Sequence, residues 1–376
     1  MQNIHTDARP RLPLGASLLL TLSLMFFMSF SVCTEVKLCR YMVVLVFALL
    51  LFIAVRSRLV IALAAFPCLL AFFGAETSAS MPLLLCIVAI VGFGGFALHA
   101  AHPLVLSAAP VCAYLLAFAL TGNFMESLSV LSFVPLAVIA ALTLRFKLSR
   151  TASVAVVSAS LLVYAALALL VALPEGISLS AEAFSEFIVS FRELLTDEIM
   201  NMAEAEELSA VFGTVTKDAV STLINAFLRL LPATLIVTAE IIAFLSCLIA
   251  VSLRVSQFPD HPLPIRCVAF RMSAVSAVLF LISFVLSLFP EGRSDAIGIL
   301  LVTAMNLFVI LLPGLAVCGA LRLFASFRQK RVLSWILLIV LLFWFSSFVL
   351  VILAFVGAFT VLRTEKTAKH NQKGQN

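Results

Sequence analysis

The sequence predicts an all-α polytopic transmembrane helix bundle of ten or eleven spans, with an extramembrane amphipathic helical hairpin. Three observations point there. Of 376 residues, 63% are hydrophobic and only 11% are charged, whereas soluble domains carry about 25% charged residues. Apolar runs recur along the whole length at the size a bilayer core requires, about 20 residues of helix. Period-two alternation is absent, which disfavours a membrane β-barrel, and helices are the other way to satisfy backbone groups inside lipid.

One polar stretch breaks the pattern. Between Glu175 and Leu228 lie ten of the nineteen acidic residues and two of the twenty-four basic ones. It divides the chain into an N-terminal membrane bundle of about seven spans (1–173), an acidic extracytoplasmic helical insert (174–229), a second membrane bundle (230–362) and a basic disordered tail (363–376).

The first apolar run, 14–33, is too long for the core of a cleavable signal and reads as the first span. Arg9 and Arg11 precede it, and cytoplasmic segments favour Lys and Arg, so the N-terminus is expected inside. Further spans are expected at 41–55, 59–74, 81–98, 104–120, 128–144 and 152–173. Arg56 and Arg58, and then Arg145, Lys147 and Arg150, mark inside turns. Seven crossings bring Glu175 outside, in keeping with the acidity of the insert. Gly92, Gly94 and Gly95 within the fourth span allow close helix approach. No Lys-Ser/Thr follows them, so they do not form a phosphate loop.

Within the insert, Phe184, Phe187, Ile188, Phe191, Leu194 and Leu195 recur mostly at three- and four-residue steps, and so do Leu208, Val211, Phe212, Val215, Ala219, Leu223 and Phe227. That spacing predicts two amphipathic helices. Interfacial helices are normally rich in Lys and Arg, so this acidic pair is expected to pack on the outer face of the bundle or on an envelope protein partner.

The second bundle predicts spans at 230–253, 272–289 and 296–318, the last continuing through Leu321. Between the first two, the segment 254–271 has three Arg and three Pro and is expected inside, as is the turn with Arg322, Arg328, Lys330 and Arg331. The last apolar run, 332–362, is long for one crossing and short for two. It is either a tilted single span or a re-entrant hairpin bent near Phe345, Ser346 and Ser347, which would return the tail to the inside.

Glu240 is the carboxyl that the pattern buries in the membrane, ten residues into its span and so about 15 Å deep. Intramembrane carboxyls usually face protein or water and often mark ion or substrate paths. The structural alternative is a Glu that fixes helix packing through Asn306 or a serine. Asn306 lies at similar depth in the 296–318 span, where amides commonly bond between helices. His99 and His102 sit at a turn without nearby acidic or Cys ligands and read as solvated loop histidines. The eight cysteines contain no C-x-x-C pair and read as small apolar residues. Cys33 and Cys39 flank one short loop and are within reach of pairing if that loop is extracytoplasmic. Pro232 and Pro313 are among the prolines that kink spans, and kinked helices line many transport sites.

Several chemistries leave no trace. There is no G-x-x-x-x-G-K-[ST] and no H-E-x-x-H, and no G-x-S-x-G. An enzyme is therefore not expected, and neither a cofactor, a metal nor nucleic acid is implied.

The segment Leu311-Leu312-Pro313-Gly314-Leu315-Ala316-Val317, then Arg328-Gln329-Lys330-Arg331, then a long apolar run closing on Gly357 and Arg363-Thr364-Glu365-Lys366, resembles the YybS-like family of bacterial membrane proteins. That resemblance implies a bacterial cytoplasmic (plasma) membrane location. The N-terminal spans of that family are in turn distantly similar to the substrate-binding S components of energy-coupling-factor transporters, which bind small molecules and borrow a separate ATPase module. The resemblance implies small-molecule binding or transport, or a transport-associated subunit, and carries over no site residues; the polar element of an internal site is expected, from depth alone, at Glu240 and Asn306. The other expectation is a non-transporting scaffold or regulator that docks an envelope partner through the acidic insert. The ligand is not identified by either reading.

Overall fold

The computed structural model describes residues 11–32, 80–102, 134–172, 192–200, 217–289, 295–326 and 346–373, with scattered positions between 105 and 131 and at 186, 189 and 190. Its elements are α1 (Leu14–Val32), α2 (Ser80–Ala100), α3 (Val134–Arg145), α4 (Arg150–Ala172), α5 (Lys217–Gln257), the short α6 (Ile265–Val268), α7 (Ala274–Ser287), α8 (Asp295–Ser326) and α9 (Ser346–Lys373). No strand occurs among the described residues. Among the described residues, three helices are long and apolar enough to cross a membrane: 150–168 of α4, 218–257 of α5 and 297–323 of α8. The protein is an all-α helical membrane bundle.

The chain forms two compact units. Unit 1 comprises 1–161 and 239–271, and unit 2 comprises 162–238 and 272–376. Helices α4 and α5 each run through both ranges.

In unit 1, α2 is the central helix. Its glycines fall on contact faces, as expected for small residues between membrane helices. A Cβ on Gly94 or Gly95 would come within 3.0 Å of Ala137 or 2.7 Å of Ala140 on α3, and one on Gly92 would come within 3.0 Å of Ile249 on α5. Ser246 adds a hydrogen bond from its Oγ to the Val88 carbonyl at 3.3 Å. Ser17, Leu20, Thr21 and Leu24 of α1 are buried at helical spacing. Ser17 accepts from the His102 amide at 3.2 Å, and the Leu12 amide donates to the Ala100 carbonyl at 2.8 Å.

In unit 2, α7, α8 and α9 enclose Phe280, which is fully buried. Its ring stacks on Phe308 at 5.1 Å and meets Phe355 edge-on at 5.3 Å. Such aromatic pairs contribute about 0.5–1.5 kcal/mol beyond area burial. Helices α8 and α9 run antiparallel and touch backbone to backbone. A Cβ on Gly319 would strike the Leu353 carbonyl, and one on Gly357 would strike the Leu315 carbonyl. Helix α7 starts at the N-cap Ser273, which accepts from the Ser276 amide at 3.1 Å.

Helix α5 differs from the sequence reading in its length. A span over 230–253 was the expectation, and the helix runs from Lys217 to Gln257 with Pro232 in its interior. The α9 helix is described from Ser346. Residues 327–345 lie outside the described ones, and the choice between one span and a hairpin over 332–362 falls there. Cys33 and Cys39 also lie outside the described residues, as do most of the two amphipathic helices of the insert.

Candidate functional site

The carboxamide of Asn306 is used on backbone groups of unit 2. Proline lacks an amide hydrogen, and its ring crowds the preceding turn, so Pro232 opens the hydrogen-bond ladder of α5. In an unbroken helix the Ala233 amide would donate to the Arg229 carbonyl, four residues back. Asn306 Oδ1 accepts from the Ala233 amide at 3.2 Å. Its Nδ2 donates to the Arg229 carbonyl at 2.9 Å and to the Val302 carbonyl at 2.9 Å. The amide of α8 thus engages two backbone groups of α5 beside the proline, and membrane helices tolerate an interior proline where a neighbouring helix satisfies such groups.

Glu240 lies on α5 in unit 1, seven residues or about two turns beyond Ala233. It is half-buried. Ala239, Ile242, Ala243, Ser246 and Cys247 around it are buried. Its carboxyl has no hydrogen-bond or ion-pair partner among the described residues. Glu240 and Asn306 belong to different units.

The sequence reading missed a second polar feature, at one end of unit 1. The loop after α3, the loop after α5 and the ends of α1 and α2 come together there. Cys267 donates from Sγ to the Lys147 carbonyl at 3.2 Å, Arg150 from Nη1 to the Val268 carbonyl at 2.8 Å, and Thr151 from Oγ1 to the Arg271 carbonyl at 2.6 Å. Phe96 of α2 meets Phe258 at 6.5 Å. Two arginines at this end are buried, Arg150 at 9% exposure and Arg254 at 5%. Each guanidinium lies over a ring, Arg150 at 4.9 Å from the Phe244 centroid and Arg254 at 4.8 Å from that of Phe258. Arg11, Arg145, Lys147, Arg266 and Arg271 surround them as exposed cations, and Asp260 is the described acid in the same loops. Burial holds the Cys267 thiol above its ordinary pKa, an effect partly offset by the Arg266 guanidinium.

Loop charge made Arg150 and Arg254 look solvated. The usable signal was the helical register, because Arg254 follows Cys247 by seven residues and so shares its buried stripe. His102 is half-buried at the same end, and among the described residues no group of three His, Cys, Asp or Glu is arranged to hold a metal. Cys112, Cys247, Cys267 and Cys318 are free thiols.

No curated protein and no solved structure matches the chain. A family of predicted membrane proteins, DUF2232, matches residues 78–359, which takes in α2 to α8 and most of the apolar part of α9. The extent of that match, over a helical bundle of this kind, means that the chain belongs to the DUF2232 family of membrane proteins.

Proposed function

We propose that this protein is a small-molecule-binding membrane subunit, similar in role to an S component, that binds or carries its ligand at an internal polar site containing Glu240. The observation that carries the reading is the carboxyl of Glu240, half-buried on an apolar helix and without a protein partner among the described residues. Desolvating a carboxyl without a partner is unfavourable, and membrane proteins keep such groups where an ion or substrate supplies the missing interaction. Asn306, fully engaged by backbone, then acts on the site through the shape of α5 rather than by touching the ligand. The protein sits in a bacterial cytoplasmic membrane with its N-terminus and the arginine-rich loops inside and the 175–229 insert outside, and a separate ATPase module supplies energy. The run of cations at one end of unit 1 supports that orientation.

A second reading is favoured by α5 itself. Because the helix is continuous from Lys217, a partner docked on the acidic insert would pull directly on the membrane segment, as a scaffold or regulator requires. Complementation in a host strain lacking the gene separates the two. Glu240→Gln should fail while a chain shortened within 175–216 succeeds. The reverse pattern would favour the scaffold.

A further inference from the structure

We propose that the basic end of unit 1 binds a phosphate group, carried by an anionic lipid headgroup or by a soluble phosphorylated solute, with Arg254 as its principal ligand. This site is separate from Glu240 and does not rest on the reading of that residue.

The starting point is a set of unpaired nitrogens. Among the described residues, the buried side-chain polar atoms without a hydrogen-bond partner are His102 Nδ1, Arg150 Nε, Arg254 Nε and Arg254 Nη1. All four belong to this one end of unit 1. Buried polar groups in folded proteins nearly always find partners, and exceptions call for a missing ion, water or ligand. A buried, uncompensated charge is costlier still. Here the orphaned guanidinium atoms are donors on cations, and no carboxylate pairs with either arginine among the described residues.

Arg254 shows the geometry most clearly. Its guanidinium lies over the Phe258 ring at 4.8 Å, and Phe258 is in turn braced by Phe96. That stack fixes the plane of the guanidinium while its Nε and Nη1 donors meet no protein acceptor. An unpaired planar cation with donors facing more than one way suits an anion with several oxygens, such as a phosphate. Lysine would give a compact point charge in place of that plane. The next residues of the chain, 259–262, are exposed.

The surroundings suit an anion with more than one negative charge. Arg145, Lys147, Arg266, Arg271 and Arg11 are exposed at the same end, against Asp260. Such a one-signed surface concentrates anions and speeds their arrival. Cytoplasmic leaflets present phosphate headgroups beside the ends of spans, and basic pockets there bind them.

The test uses the full-length protein purified in detergent. Its unfolding midpoint is followed against inorganic phosphate, with sodium chloride at matched ionic strength as reference, and separately in vesicles of phosphatidylglycerol against phosphatidylcholine. The midpoint should rise saturably, by roughly 3–6 °C near saturation, in at least one arm. A response to free phosphate alone identifies a soluble solute as the source, and a response to phosphatidylglycerol alone identifies a headgroup. Arg254→Met keeps the bulk over Phe258 and removes the guanidinium, and should weaken the response at least about tenfold. If that variant does not fold, Arg254→Lys replaces it and should also weaken the response. No response of the wild type in either arm, or an undiminished response in the variant, would overturn the proposal.

Discussion

Asn306 of α8 meets α5 beside Pro232. Its carboxamide accepts from the Ala233 amide at 3.2 Å and donates to the Arg229 carbonyl at 2.9 Å, so one side chain engages the donor and the acceptor that a helical i to i−4 bond would join. A proline weakens the ladder at this point, and the amide supports it. Asn306→Ala should therefore destabilise the protein by about 1–2 kcal/mol. In a Pro232→Ala background, where the ladder can close by itself, the same change should cost less. Unfolding titrations in SDS on the four proteins measure the coupling. Equal losses in both backgrounds would show that the amide does not serve the proline.

The α8–α9 crossing rests on Gly319 and Gly357, each set against a carbonyl of the other helix. Gly319→Ala or Gly357→Ala must separate the helices and should destabilise by about 1–3 kcal/mol. Gly298, on the same α8, has open space where a Cβ would go. Gly298→Ala should be neutral or stabilising by up to about 1 kcal/mol. Comparing the three variants by the same titration separates packing from helix propensity.

The Cys267 thiol is 4% exposed, and burial keeps it protonated above the range of an ordinary thiol. Because its folded pKa is raised, its protonated form favours the fold. That contribution is complete below the ordinary thiol range and is lost as pH rises through the folded value. Iodoacetamide at pH 8 should therefore alkylate Cys267 much more slowly in the folded protein than in the SDS-unfolded one, with the gap closing as pH rises. Peptide mass spectrometry reads the site in both states. Equal rates at pH 8 would contradict the burial of the thiol against Lys147.

The proposed orientation puts Asn123 and Ser256 on opposite sides of the membrane. In a chain with its eight cysteines replaced by serine, Asn123→Cys should react with an impermeant maleimide in intact cells. Ser256→Cys should react only after permeabilisation. The opposite labelling would invert the orientation.

Much of this architecture was legible because apolar runs have sharp ends. The runs at 14–33, 81–98, 152–173 and 272–289 anticipate α1, α2, α4 and α7 closely. The glycines of α2 were legible as contact residues, since a missing side chain inside an apolar run has few other uses. Gly319 and Gly357 were not, because only the crossing of α8 with α9 brings them together. Depth alone did not show the partners of Asn306, which are backbone groups beside a proline far away in sequence. Pro232 was legible as a proline within a helix, and its tertiary partner was not. Arg150 and Arg254 looked like solvated loop cations because a sequence counts charge and does not show burial.

The central claim is that Glu240 belongs to an internal ligand site. Its most direct test is the unfolding midpoint of the purified wild type and Glu240→Gln across one small-molecule library. A ligand stabilises the state it binds by mass action. The expected result is a compound that raises the wild-type midpoint and leaves the variant unmoved, with the ligand-free variant at least as stable as the wild type. Equal shifts in both proteins, or a library that shifts neither, would contradict it.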